Sequence, residues 1–274
     1  MCTLWKWLRA LSIDVCLSAC AVLYAFSYLS QQALTQLPPY LILGISVWLI
    51  YTADHLWDAL RIRHRAHTFR HRVHQRFFKP LTAVGGLLLV VDVWLLWRWA
   101  PAPVIYAGLG LGLFSAIHFA LELLPYCWVD VSKELRVAAI YIAGAGLWHW
   151  AACRLRCLTG DTYLLGGSLL LLAWANLLII AMYERHSDQK DGQRSLAQWL
   201  PDRHMHRLIV TLIIWAALLA AALWQHPALM LVLWAMATTL WAVVRYPSFF
   251  SKKERYRIVS DSAFLYPFLL LLTA

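Results

Sequence analysis

YLILGISVWLIYTADHLWDAL, residues 40–60, runs without a charge from Tyr40 to Ala53 and then closes on Asp54 and Asp58. A helix of that length covers about 30 Å, the thickness of a bilayer's hydrocarbon core. Carboxylates at i and i+4 lie on one helical face, one turn apart. Charges at a span end are costly to place and mark function. The arrangement recurs. The apolar run that begins near Thr162 closes on Glu184-Arg185-His186-Ser187-Asp188, again with carboxylates at i and i+4. Two such pairs make a site for a divalent cation and for whatever the cation holds.

Apolar stretches of spanning length fill the rest of the chain, which has 274 residues of which 62% are hydrophobic. Its mean hydropathy is +0.61, far above that of an ordinary soluble domain. Spans are expected near residues 8–30, 40–60, 80–98, 103–123, 136–153, 162–184, 207–225, 228–245 and 258–274. The expected fold is therefore an all-α polytopic membrane helix bundle of about nine helices. It forms a single domain over 1–274, with helices one to four and five to eight as a possible pseudo-repeat. The first apolar run outlasts a signal peptide and lacks a cleavage site, so none is expected. Cys16/Cys20 and Cys153/Cys157 stand at i and i+4; small packing residues explain them better than a metal or redox role.

The net charge of +10 does not need a nucleic-acid partner. With the N-terminus inside and nine spans, every Lys and Arg except Arg98, Arg154 and Arg156 falls on the cytoplasmic side. Both acidic motifs then end their helices, the second and sixth, on that side. Each is followed by a basic loop, 61–79 and 189–207. Pro80 and Pro125 suit a helix start and a turn. Gly85-Gly86, Gly108/Gly110/Gly112 and Gly144/Gly146 read as close helix contacts or as room for a ligand, with packing preferred.

The motifs resemble those of the UbiA superfamily of intramembrane prenyltransferases. Relatives have nine helices, with acidic motifs ending the second and sixth. Their first motif is N-x-x-x-D-x-x-x-D; here Asp54 and Asp58 match, and Ile50 stands at the Asn position. Their second is D-x-x-x-D before a Gly-containing stretch ending in T-L-A. Here Glu184 replaces the first Asp, Asp188 matches, and Gly192 and Ser195-Leu196-Ala197 follow in register. Phe78-Lys79-Pro80-Leu81 is similar to the basic-Pro-Leu turn entering the third helix. Lys133 stands where relatives carry a Lys-Arg pair, with Glu134 at the partner position.

The resemblance implies Mg²⁺ held by Asp54, Asp58, Glu184 and Asp188, hard oxygen ligands suited to that ion. It implies a prenyl diphosphate whose anionic end also meets Lys133, Lys79, Lys190, Arg194 and one or more of Arg61, Arg65 and Arg72. The isoprenyl group would pass to an aromatic or other small lipid-precursor acceptor, with the tail in the apolar bundle. Catalytic roles fall to the four carboxylates and Lys133. Tyr51, Trp57, Tyr183, Asp92, Asn176 and His186 are weaker pocket candidates; interfacial aromatic residues are more often belt residues. His55 and His186 sit inside the motifs, as phosphate contacts, proton acceptors or plain interfacial residues. The location implied is a bacterial inner (cytoplasmic) membrane, with the site facing the cytoplasm.

Three other readings compete. His64, His67, His71 and His74 would share one face of a continuous helix and suit a transition metal. The arginines around them favour instead a basic cap over a diphosphate or lipid headgroups. A transporter would place its acids at the midplane rather than at one face. A catalytically degenerate UbiA-like lipid- or quinone-binding protein fits the Ile50 and Glu184 departures. No P-loop, GxSxG or HExxH pattern occurs.

Overall fold

A positive φ at Ser12 (56°) decides how the chain first meets the bundle. In the computed structural model, residues 3–30, 36–61, 66, 69–122, 124, 127–152, 158–192 and 194–273 are described, and all regular structure among them is helical. The apolar run expected over 8–30 is broken into α1 (Thr3–Ala10) and α2 (Ile13–Leu29), because Ser12 leaves the right-handed region. Trp7 on α1 sets its ring edge-on to Phe69 and Phe77, at 5.7 and 6.0 Å. α1 therefore lies against the polar-end helix α4 (Phe69–Arg76) rather than extending the span.

Six helices are long and apolar enough to cross a membrane. They are α3 (Pro38–Arg61), α5 (Phe78–Trp99), α6 (Ala102–Leu121), α8 (Gly160–Asp191), α10 (Asp202–Ala221) and α11 (Pro227–Arg245). The protein is thus a helical membrane bundle. The remaining three expected spans take other forms. α2 is apolar but has 17 residues. α7 (Cys127–Ala152) carries Asp130, Lys133, Glu134 and Arg136 in its first turns, ahead of an apolar stretch. The C-terminal stretch is α13 (Arg255–Ala263) followed by a 3₁₀ segment, Tyr266–Leu272. Pro267 lacks the N–H that an α-helix needs there. Short α9 (Leu196–Trp199) and α12 (Pro247–Phe250) complete the chain.

α8 is the axis. Leu165, Leu169, Leu172, Leu178 and Ile179 on it have no exposed surface, and α7, α10, α11 and α13 pack round it. α2 closes the ring against α3, α7 and the C-terminal 3₁₀ segment. Side-chain bonds staple this core: Ser168 donates to the Ala216 carbonyl at 3.2 Å and Tyr183 to the Val243 carbonyl at 2.8 Å.

α5 and α6 stand apart from it. α5 leans on α3, α6 leans on α7, and the two barely touch although only Ala100 and Pro101 join them. Just Leu81, Asp92 and Leu95 of α5 are buried, and Val104, Ser115 and His118 of α6. The close contacts expected at Gly85, Gly86, Gly108, Gly110 and Gly112 are not made: a Cβ at any of them would meet nothing within 4 Å. Gly144 faces Leu111 at 3.4 Å, and a Cβ on Gly146 would strike the Trp150 ring at 2.6 Å.

Candidate functional site

Both acidic motifs fall at the C-terminal ends of long helices, Asp54 and Asp58 on α3, Glu184 and Asp188 on α8. α8 stops because Gly192 adopts φ 70° and turns its N–H back to the Asp188 and Gln189 carbonyls. Arg70, on α4, interacts electrostatically with members of both pairs. Burial and the nearby Arg257 lower the pKa of its guanidinium, against the pull of Glu184, Asp58 and Asp54. Lys133 at the start of α7 joins them: burial opposes its charge, but Glu122, Asp54 and Asp58 outweigh it and raise its pKa. Lys133 Nζ is 3.2 Å from Glu122.

The four carboxylates are not equivalent. Glu184 accepts hydrogen bonds from Arg257 at 2.7 Å and Tyr256 at 3.0 Å, so its charge is already compensated. Tyr256 is held in turn by Tyr183, stacked on it at 4.4 Å. Asp58 lies 3.6 Å from His71, and Asp54 lies 3.6 Å from His55. Among the described residues neither Asp54 nor Asp188 makes an ion pair with a lysine or arginine. Carboxylates at helix C-termini oppose the helix dipole, so the positive charges of Arg70 and Lys133 stabilise them, as a bound cation would.

Behind the carboxylates is a cavity of about 90 Å³. Tyr51, Tyr141, Asn176, Leu177 and Phe264 form its walls, and its charged lining is Arg70 with the ion pairs Arg257–Asp261 at 3.9 Å and Arg9–Asp14 at 3.8 Å. Asn176 donates to Asp261 at 3.1 Å, and the Tyr141 hydroxyl is buried with no hydrogen-bond partner among the described residues.

Several candidates lie elsewhere. Trp57 is 43% exposed on the outer face of α3. Lys79, His186 and Lys190 are exposed. Asp92 accepts from Ser46 at 2.7 Å, joining α5 to α3 away from the cavity. Tyr183 does not line the cavity. Arg72 donates to the Ala66 carbonyl at 3.1 Å in an outer groove beside Trp7. Arg194 reaches Asp130 at 3.3 Å and the Glu122 and Leu124 carbonyls at 3.0 Å, fastening its loop to the α6–α7 turn. The Arg61 side chain, Arg65, His64, His67, Cys153 and Cys157 lie outside the described residues.

Arg70, Arg257, Tyr141 and Glu122 join the site without having been singled out as candidates. Arg257 and Asp261 at i and i+4 were a readable signal, since such a pair at the start of an apolar stretch seeks a polar neighbour. Arg70 gave none beyond its place in an arginine-rich loop. No protein-family model, curated protein or solved structure matches this chain.

Proposed function

We propose that the protein is a Mg²⁺-dependent intramembrane prenyltransferase, moving an isoprenyl group from a prenyl diphosphate to a small aromatic or lipid-precursor acceptor. In this reading the chain crosses a bacterial cytoplasmic membrane nine times with its N-terminus and acidic motifs inside. α2, α7 and the C-terminal segment supply the three spans beyond the six apolar ones.

The observation that carries it is that Arg70, which lines an aromatic-walled cavity, interacts with both carboxylate pairs, and Lys133 with the first. Hard oxygen donors from Asp54, Asp58 and Asp188 suit Mg²⁺, which would supply charge neutralisation for a leaving diphosphate. Lys133 and Arg70 bind the diphosphate oxygens and orient the donor with its C1 toward the cavity. As the C1–O bond breaks, the electron pair leaves with diphosphate. The ring faces of Tyr51 and Tyr141 stand where the allylic cation develops. The acceptor forms the new bond at C1 and then loses a proton to the departing diphosphate or to water. Glu184, paired with Arg257, holds α13 against α8 and fixes the cavity's charged lining.

Purified protein binds a prenyl diphosphate only with Mg²⁺, and Asp54→Ala or Asp188→Ala abolishes that binding in calorimetry. Binding that ignores both metal and substitutions rejects the site. The compensated Glu184 favours a second reading, a lipid- or quinone-binding protein without turnover. That reading gives lipid binding but no new prenylated species in lipid extracts of an expressing host, compared with the Asp54→Ala variant.

A further inference from the structure

His55, six residues before the end of α3, is 2% exposed, and among the described residues neither ring nitrogen has a hydrogen-bond partner. A buried imidazole in that state loses its solvation without compensation. Its surroundings answer for it. One ligand atom each from His55, Asp58 and His71 lies within 4.8 Å of the others. His55 and Asp58 come from α3 and His71 from α4, so two elements converge on one point. His71 is 4% exposed and its Nε2 is 3.6 Å from the Asp58 carboxylate. His74 stands behind them, its ring 5.0 Å from that of His55, with Nδ1 3.0 Å from the Arg70 carbonyl.

We propose that His55, Asp58 and His71 form a second metal site, for a first-row divalent ion such as Zn²⁺. Two imidazoles and one carboxylate favour a borderline ion over Mg²⁺, which prefers oxygen ligands and retained water. The separations exceed those of a bound tetrahedron, and side-chain rotation of about 1 Å brings the three donors together. One carboxylate offsets half of the ion's charge, and Asp54, 3.6 Å from His55, stands ready to offset the rest. The ion pins α4 onto the end of α3 and so fixes Arg70, one residue from His71, within reach of the acidic motifs. The proposal goes beyond the prenyl-transfer reading and shares with it the ligand Asp58, a carboxylate having two oxygens to offer, and the charge of Asp54.

Tag-free, full-length protein is washed with chelator, incubated with Zn²⁺, desalted and measured by atomic emission. About one zinc per chain is expected for the parent protein and for Asp188→Asn. His71→Ala and His55→Ala lower zinc affinity at least 10-fold, while His71→Cys, which keeps a zinc ligand, retains stoichiometric metal. The Cys variant answers the case in which an Ala variant fails to fold. Under 0.2 zinc per chain in the parent protein, or full retention by a folded His71→Ala, overturns the site. Mg²⁺-dependent prenyl diphosphate binding by Asp188→Asn and His71→Ala, measured alongside, separates the two ideas. Its loss in Asp188→Asn supports the prenyl site whatever the zinc result, and a smaller loss in His71→Ala is the expected effect of releasing Arg70.

Discussion

Glu184 is the acidic residue whose place in the sequence says least about its state. At one helical turn from Asp188 it reads as half of a carboxylate pair, yet its charge belongs to Arg257, 2.7 Å away, with Tyr256 as second donor. Burial pulls the Arg257 guanidinium down, but Glu184 and Asp261 outweigh it and hold it firmly charged. Removing one partner of a buried pair leaves the other uncompensated. Arg257→Ala therefore destabilises by about 3 kcal/mol, and Tyr256→Phe by about 1 kcal/mol, read as thermal midpoints in detergent. An unchanged midpoint for Arg257→Ala would show that water reaches Glu184 freely. Asp54, Asp58 and Asp188 were legible because a charge ending an apolar run stands out in any single sequence. Arg70 was not, because its meaning lies in the fold of a loop that brings it back toward two distant helices.

Helices show the same split between local and distant causes. Periodic apolar runs gave the long helices, since 3.6-residue geometry writes itself into composition. The break at Ser12 did not show, because a single left-handed residue costs little and leaves no pattern behind. Ser12→Gly, which adopts that conformation without strain, raises the thermal midpoint, by roughly the few tenths to 1 kcal/mol typical of a relieved positive φ. The junction of α7 with α9 carries a pH dependence. Glu134 on α7 accepts from the Leu196 N–H at 3.1 Å, and burial pushes its carboxyl from 4.5 up to about 7 despite the backbone hydrogen bonds. A raised carboxyl pKa means that the folded state takes up the proton more readily than the unfolded chain. Its contribution to stability is complete below pH 4.5 and is lost as pH rises through about 7. The difference in thermal midpoint between parent protein and Glu134→Gln therefore changes between pH 5 and 8 and flattens above. A constant difference across that window would mean that the carboxyl ionises normally.

At the scale of the whole molecule, the packed ring of α2, α7, α8, α10, α11 and α13 contrasts with the spread pair α5 and α6. Glycines in the two regions carry opposite meanings although they read alike. Gly110→Leu meets open space and leaves stability unchanged, whereas Gly146→Leu meets the Trp150 ring and lowers the thermal midpoint, by the 1–3 kcal/mol typical of overpacking. Equal effects would place α6 in contact with something further. The two-residue link at Ala100-Pro101 also makes the molecule divisible. A chain cut there parts two helices that hardly touch, while α2 stays seated against α7 and the C-terminal segment. No charged residue lies between Pro101 and Ile117 to hinder insertion of the second piece. Co-expressed fragments 1–100 and 101–274 would then find each other in the bilayer, and each acidic motif would arrive on a separate polypeptide.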